Sequence, residues 1–355
     1  MLTLVVDGSE QPLMAHGMPR LDLVRATDEA AAYRAGFWGL ARIEPRNNGA
    51  VDLRLRARLA GGETREEALA RIAVAELPEP LSGSPKVAIC MATHEPPVEL
   101  FRRQVESIRA QTERDWLCVV ADDCSRPERL AEIREVLGGD KRFVLAASDR
   151  RRGFYGNFER ALALAPAGAR FVALADQDDA WHPDKLATLL AELDDARLVY
   201  SDQRIVARDG SVVAESYWER RANNHVSLLS LLAANAVTGA ASLFPRTLLD
   251  DALPFPPSQF AHFHDHWIAL IARALGDIRY VDRPLYDYVQ HRGAALGHAN
   301  ATSTTRLRER LAGRRGARER IRLWRMHYFV DVCRLMQFAT VLDMRCGERM
   351  PPSRR

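Results

Sequence analysis

From Lys86 to Ser201 the chain alternates between short apolar runs and longer amphipathic ones, a rhythm that few folds accommodate. "KVAICMA" (86–92), "DWLCVVA" (115–121), "RFVLAAS" (142–148), "RFVALA" (170–175) and "ARLVYS" (196–201) are apolar enough for strands buried on both faces. Between them lie "VELFRRQVESIRAQT", "RPERLAEIREVLGG", "NFERALALA" and "PDKLATLLAEL". The first places Leu100, Val105 and Ile108 at roughly helical spacing, and Gly138 and Gly139 close the second. Five strand-type runs alternating with four helix-type runs predict an α/β domain. Its economical form is a Rossmann-like open, mostly parallel sheet with helices on both faces.

The flanks read differently. Across 1–80, "LTLVVDG", "GFWGLARI" and "AVDLRLRARL" predict a small β-rich accessory module, with Val51, Leu53 and Leu55 facing away from the neighbouring arginines. Within it, "ETREEALARIAVAE" predicts a helix, and "LPEPLSGSP" (77–85) reads as a linker. The α/β domain then spans 86–300, and a helical tail follows over 301–355. Ala301 to Arg325 holds nine Arg and two Glu, and from Ile321 onward Trp324, Tyr328, Cys333 and Phe338 recur at near-helical intervals. Such a helix either packs its apolar side on the domain or lies, through 301–345, on an anionic membrane surface.

A net charge of +3 over 355 residues, concentrated in that tail, gives no footing for a nucleic-acid partner. Five cysteines without CxxC spacing argue against a disulfide framework or structural zinc and for a reducing compartment. The first residues carry no basic stretch or long apolar core, and no segment approaches the ~18 apolar residues of a membrane span. The expected setting is cytoplasmic, with peripheral contact at the inner membrane if the tail seeks lipid.

The chemistry gathers at strand ends. "VALADQDDAW" packs Asp176, Asp178 and Asp179 into four positions. Two such charges about 4 Å apart repel by roughly 4 kcal/mol at an effective dielectric of 20. A solvated turn with a helix cap would tolerate one of them. Three together call for a cation or a ring of donors. In an open α/β sheet, ligands bind beyond the carboxyl ends of the strands. There the first strand delivers Thr93, His94 and Glu95, the second Asp122 and Asp123, and the fourth the three Asp with Gln177. Five Asp on one edge exceed what helix capping needs. Helix N-termini on that edge favour anions, so the rim suits a divalent metal bridging protein oxygens and a phosphate.

"CMATHEPP", "ADDCS", "RRGFYGNFERAL", "ALADQDDAWHPDKL", "HDHW" and "LYDYVQHRGAALG" occur in an order that resembles the inverting nucleotide-sugar glycosyltransferases of family 2, which have the GT-A fold. The resemblance runs from Lys86 to about Asn300 and is strongest to bacterial polysaccharide and rhamnosyltransferase-like members. It implies a nucleotide-sugar site of Thr93, Glu95, Asp122, Asn157, Asp176 and Gln177. It also implies that Asp178 and His291 hold Mn²⁺ or Mg²⁺, and that Asp265 is the general base on an acceptor hydroxyl. Asp179, Trp181 and Trp267 fall on the acceptor side, where the indoles could stack on a sugar ring. The implied partners are a nucleoside diphosphate sugar and a glycan or lipid-linked acceptor. Two departures from the family pattern stand out: Thr93-His94-Glu95 where Thr-Tyr-Asn is common, and Arg292 after His291.

Other residues admit two readings. His262, His264 and His266 could bind zinc only if a strand aligned them. Gly153 and Gly156 suit a phosphate loop or a plain turn, and "NAVTGAASLF" (235–244), with Asn235, Thr238 and Gly239, reads as an acceptor-side strand. Asp265 precedes "HWIALIARAL", so it should sit at a helix N-terminus that keeps it ionised. Two function classes remain. One is a metal-dependent inverting glycosyltransferase building a cell-surface glycan. The other is a catalytically silent carbohydrate or nucleotide-sugar binding module of the same fold. A nucleotidyltransferase would be expected to carry a basic Gly-rich loop where this chain has "MATHEPP".

Overall fold

The computed structural model describes the chain except residues 44–48, 60, 75–76, 219–222, 258–261, 291–316 and 355, and the side chains of 317–331. It divides into two compact units, Met1–Leu77 and Pro78–Arg355.

In the first unit, strands β1 (Leu2–Val6), β2 (Ser9–Pro12), β5 (Ala50–Arg58) and β6 (Thr64–Ala73) form an antiparallel sheet in the order β2-β1-β5-β6. β3 (Ala15–Met18) pairs with β4 (Gly36–Trp38), and a short helix α1 (Leu21–Thr27) lies between them in sequence. Leu4, Val6 and Val51 make a small core with Leu13, Ile43 and Leu53 packed against it. The helix expected over "ETREEALARIAVAE" is instead strand β6, in register with β5 from Ala50↔Ala73 to Arg58↔Thr64. Ala, Glu and Arg favour helices in isolation, but hairpin pairing overrides that preference. Cross-strand charge pairs follow from the register: Glu66 meets Arg54 and Arg56.

The second unit begins with the predicted alternation. β7 (Val87–Thr93), α2 (Val98–Arg109), β8 (Trp116–Asp122), α3 (Pro127–Leu137), β9 (Phe143–Ala147), α4 (Gly153–Ala163) and β10 (Phe171–Ala175) follow one another. Then come the short β11 (Ala180–Trp181), α5 (Lys185–Leu193), the long β12 (Leu198–Ala207) and β13 (Val212–Ala214). After α6 (Leu228–Ala233) come β14 (Ser242–Pro245), α7 (Leu249–Ala252), α8 (His264–Leu275), β15 (Ile278–Gln290) and α9 (Ala317–Cys346).

The strands join in one sheet, ordered β11-β15-β12-β14-β10-β7-β8-β9, with β13 beside β12. β9, β8, β7 and β10 run parallel, as do β12 and β15, while β14 lies antiparallel between β10 and β12. This is the α/β sheet the sequence predicts, but mixed: among the described residues four neighbour pairs are parallel and four antiparallel. β7 and β8 are apolar and almost wholly buried because helices cover both faces. The antiparallel β14 takes up the end of "NAVTGAASLF", the strand the sequence predicts outside the alternation. It changes the geometry that matters: the segment preceding it comes down beside β10, at the end where the acidic cluster emerges.

Helix α9 settles the tail where its side chains are described. Phe338 is fully buried, with its ring 4.6 Å from that of His262, 5.2 Å from His266 and 5.4 Å from Trp267. Arg345 donates to the carbonyls of Asp251 and Ala252 at 3.1 and 3.0 Å. From residue 332 onward the helix therefore packs on this unit. The Arg-rich stretch 301–316 lies outside the described residues. No described helix is long and apolar enough to cross a membrane.

Candidate active site

Register places the first two strand ends side by side, Thr93 opposite Asp122. Both are buried, and Thr93 Oγ1 lies 3.4 Å from Asp122 Oδ1. The Asp122 carboxylate accepts the N–H and hydroxyl of Ser125 at 2.9 and 2.6 Å. Asp123 turns the other way and accepts the N–H groups of Arg152 and Gly153 at 2.6 and 2.8 Å, which caps α4. Gly153 has φ +75°, so it does turn work at the helix start, while Gly156 lies within α4. Asn157, also buried, donates to Ala121 O and Thr93 O at 2.8 and 3.3 Å. It joins the two strand ends from below, while its Oδ1 is buried with no hydrogen-bond partner.

Gln177 clasps the first strand's loop, accepting the N–H of His94 at 2.8 Å and donating to its carbonyl at 3.3 Å. Glu95 sits in the left-handed region at φ +46°. Its carboxylate is engaged by the backbone N–H and guanidinium of Arg126, which holds it below its ordinary pKa. The negative charge that departs from the family pattern is thus paired within the loop. This leaves Glu95 as a loop clamp rather than a bare charge facing a donor.

The acidic cluster emerges from β10. Burial pushes Asp176 well above the usual carboxylate range, and the charges of Asp178 and Asp265 push it further. Asp179 is fully buried: its Oδ1 accepts the N–H of Val289 at 3.2 Å, and its Oδ2 has no hydrogen-bond partner. Burial raises it too, followed by Asp176 and Asp178. Asp179 therefore anchors β15 and does not face an acceptor. Beneath the cluster lies a residue the sequence reading passed over. Lys185, the first residue of α5, is fully buried. Its Nζ donates to Ala240 O and sits 3.8 Å from the Trp181 ring centroid and 4.6 Å from that of Tyr286. Burial lowers its pKa, while Asp179 and Asp176 act to raise it.

Asp265 occupies the first turn of α8, as predicted, but not in the predicted state. Burial raises it to about 6, outweighing the hydrogen bonds that favour the carboxylate. Those come from His266 N–H to Oδ1 at 2.7 Å and Gly239 N–H to Oδ2 at 3.3 Å. The helix N-terminus is too weak to offset desolvation at this depth. Asp265 and Asp176 are close enough that one charge raises the other, so the base candidate and the acidic rim share a single site.

The three histidines diverge. His264 stacks on Phe158 at 3.6 Å, His266 Nε2 lies 2.7 Å from Leu231 O, and His262 packs on Phe338. They do not form a zinc centre. Neither tryptophan offers a face to a sugar. Trp267 is fully buried, with its indole N–H on Ala252 O at 2.8 Å, and Trp181 is buried over Lys185. Large aromatic area is simply well used in a core. The strand expected over 235–244 forms only at its end, as β14; before it lies a loop, folded by the Asn235 side chain on Val237, which enters a 3-10 turn at Gly239–Ala241. His291 lies outside the described residues.

Among the described residues, no group of three or more His, Cys, Asp and Glu side chains converges as a ready-made metal site. Asp178 with Asp176 beside it does fit an ion that takes one or two carboxylates and completes its shell with substrate phosphates. The orphaned Asp179 Oδ2 and the raised carboxyls of Asp176 and Asp179 mark an excess of negative charge that a dication would relieve.

Residues 88–252 match the family model described as "Glycosyl transferase family 2". An uncharacterized glycosyltransferase of Methanocaldococcus jannaschii is 25% identical over 37% of this chain and 46% of its own length. The succinoglycan biosynthesis protein ExoO of Rhizobium meliloti is 30% identical over 38% of this chain and 37% of its own. The chain thus spans less than half the length of these curated relatives. The crystal structure of S. aureus TarS 1–349 in complex with UDP-GlcNAc aligns at a TM-score of 0.48 with 19% identity, covering 59% of this chain and 60% of that one. The family match encloses β7 to β10 and the whole acidic cluster, so it is the stretch 88–252 that is similar to the family 2 glycosyl transferases.

Proposed function

We propose that this chain transfers a sugar, with inversion, from a nucleoside diphosphate donor to a hydroxyl of a cell-surface glycan or lipid-linked acceptor. The observation that carries the reading is the pairing of Asp265 with the acidic rim. A buried carboxyl raised to about 6 and fixed by Gly239 N–H stands next to Asp176. A base poised near neutral pH beside a phosphate-binding rim is what displacement at an anomeric carbon requires.

In this reading Thr93 and Asp122 hold the nucleoside, with Ser125 and Asn157 fixing their geometry. Asp178, with Asp176, would hold Mn²⁺ or Mg²⁺. When bound, the ion would offset the charge gathering on the leaving diphosphate. Asp265 takes the proton from the acceptor hydroxyl as its oxygen attacks the sugar on the face opposite the leaving group, which gives inversion. The succinoglycan link of one relative supports polysaccharide assembly as the setting. Contact of the Arg-rich stretch 301–325 with an anionic membrane would bring the site to a lipid-linked acceptor, and that part of the proposal rests on sequence alone.

A panel of nucleotide sugars, each tested for Mn²⁺-dependent transfer or slow hydrolysis, tests the proposal. Turnover of one donor supports it. Tight donor binding without turnover in any acceptor mixture would instead identify a silent binding module.

A further inference from the structure

Residues 253–257 lead out of α7 towards the helix that carries Asp265, and they cannot bind themselves together. Pro254, Pro256 and Pro257 have no N–H to give, so the carbonyls here need donors from elsewhere. Two helices supply them. From α4, Tyr155 donates its hydroxyl to Pro256 O at 3.0 Å, and Glu159 Oε1 accepts the Phe255 N–H at 2.5 Å. From α9, Gln337 donates to Pro257 O at 3.1 Å. Arg345 does most: it donates to the carbonyls of Asp251, Ala252 and Pro254 at 3.1, 3.0 and 2.5 Å. The first two are the last carbonyls of α7, which have no partner within the helix. Ala252 O is shared, because it also accepts the indole N–H of Trp267, two residues after Asp265, at 2.8 Å. The Arg345 guanidinium lies 5.4 Å from the centre of that indole. Phe338, from the same helix, packs on His262, His266 and Trp267, so α9 holds residues on both sides of Asp265.

We propose that Arg345 is a positioning residue for Asp265: its guanidinium fixes the end of α7 and, through the shared Ala252 carbonyl and Trp267, the place where α8 begins. The inference rests on the reading of Asp265 as the base, and it gives the end of the tail a part in the reaction beyond covering the core. Trp267 cannot shift without losing Ala252 O, and Ala252 cannot shift without losing Arg345. Asp265, in the first turn of the same helix, moves with Trp267. Charge alone does not do this. A planar fork with several fixed donors spans three carbonyls, whereas the ammonium of a lysine is a single point.

The test compares the full chain with Arg345→Met, Arg345→Lys and Arg349→Ala. The last loses an ion pair to the Asp251 side chain but none of the carbonyl ties. Amide hydrogen exchange needs no donor sugar. The Gly239 and His266 N–H groups, both given to Asp265, should lose protection about tenfold in Arg345→Met, while the amides of β7 and β8 keep theirs. An equal loss in β7 and β8 is general destabilisation, and no loss at 239 and 266 means that Asp265 is seated without Arg345; either result overturns the proposal. Should Arg345→Met not fold, Arg345→Lys gives the same comparison. With a donor identified by the panel above, Arg345→Met should lower kcat about tenfold or more, since small misplacements are costly, while the donor KM moves less than about threefold. Arg349→Ala should leave both near the wild-type values. An unchanged kcat in Arg345→Met, a KM that rises as far as kcat falls, or an equal fall in Arg349→Ala contradicts the assignment. If the wild type turns over no nucleotide sugar, the transferase reading fails, while the exchange comparison still decides whether Arg345 seats Asp265.

Discussion

Gly239 gives its backbone N–H to Asp265 Oδ2 at 3.3 Å, and no side chain could stand in its place. A Cβ there would lie 2.8 Å from His264 Nε2 and 3.3 Å from Asp265 Cβ. The imidazole cannot retreat, because it is stacked on Phe158. The hydrogen bond and the close approach are one device: the turn after residue 238 presses its backbone against the start of α8. Gly239→Ala should therefore displace Asp265 and lower turnover by at least tenfold, since misplacement by about 1 Å can cost ~10²-fold. The donor KM should hardly move. Steady-state kinetics on the folded variant checks this.

The pH dependence follows from the state of Asp265. Its folded value of about 6 lies above the ordinary ~3.9 of an unfolded chain. As a base it works only when ionised, so turnover should climb as pH rises through about 6, not through 4. The stability effect has the opposite sign. Between about pH 4 and 6 the folded state holds a proton that the unfolded chain has lost, so the carboxyl costs increasing stability over that window, and the full cost persists above it. Asp265→Asn should therefore melt higher than the wild type at pH 7.5, and the difference should shrink towards pH 4. An equal difference at both pH values would contradict the assignment.

Asp178→Ala should abolish the divalent-ion dependence of nucleoside diphosphate binding while leaving ion-independent binding through Asp122 within a few fold. Titration of the diphosphate with and without Mn²⁺ makes the comparison. If the variant kept near-normal Mn²⁺-dependent turnover, the ion would be held elsewhere.

The alternation from β7 to α5 was legible because strands buried on both faces leave continuous apolar runs, which polar turns and amphipathic helices interrupt. β14 was legible only in part: a strand was expected over 235–244, but only Ser242–Pro245 forms one, and its antiparallel place between β10 and β12 comes from those neighbours. β6 misled in the other direction, since good helix formers became a strand through pairing with β5. At the site, the acidic residues announced themselves by crowding. Lys185 did not, because a lysine at the first turn of a helix looks like a surface residue until β11 and β15 close over it. The tryptophans beside the acids invited a sugar-stacking role, yet proximity in sequence does not say which way an indole faces. The ionisation of Asp265 turned on depth, which a helix N-terminus in sequence does not reveal.

Phe338 offers a test of the tail. It is fully buried among His262, His266 and Trp267, so Phe338→Ala should cost about 3–5 kcal/mol of unfolding free energy. Denaturant unfolding measures it. A change below about 1 kcal/mol would mean that the end of α9 does not pack on the domain in solution.

The most direct measurement compares Asp265→Asn with the wild type in a transfer assay and in donor-binding calorimetry, at pH 7.5 with Mn²⁺ present. Asparagine keeps the size of the side chain and can still accept the Gly239 N–H, but it cannot take a proton from an acceptor hydroxyl. A fall in turnover of at least ~10²-fold, with donor affinity within a few fold, is the expected result. Unchanged turnover would remove Asp265 from the mechanism, and a parallel loss of donor affinity would make it a donor-site residue.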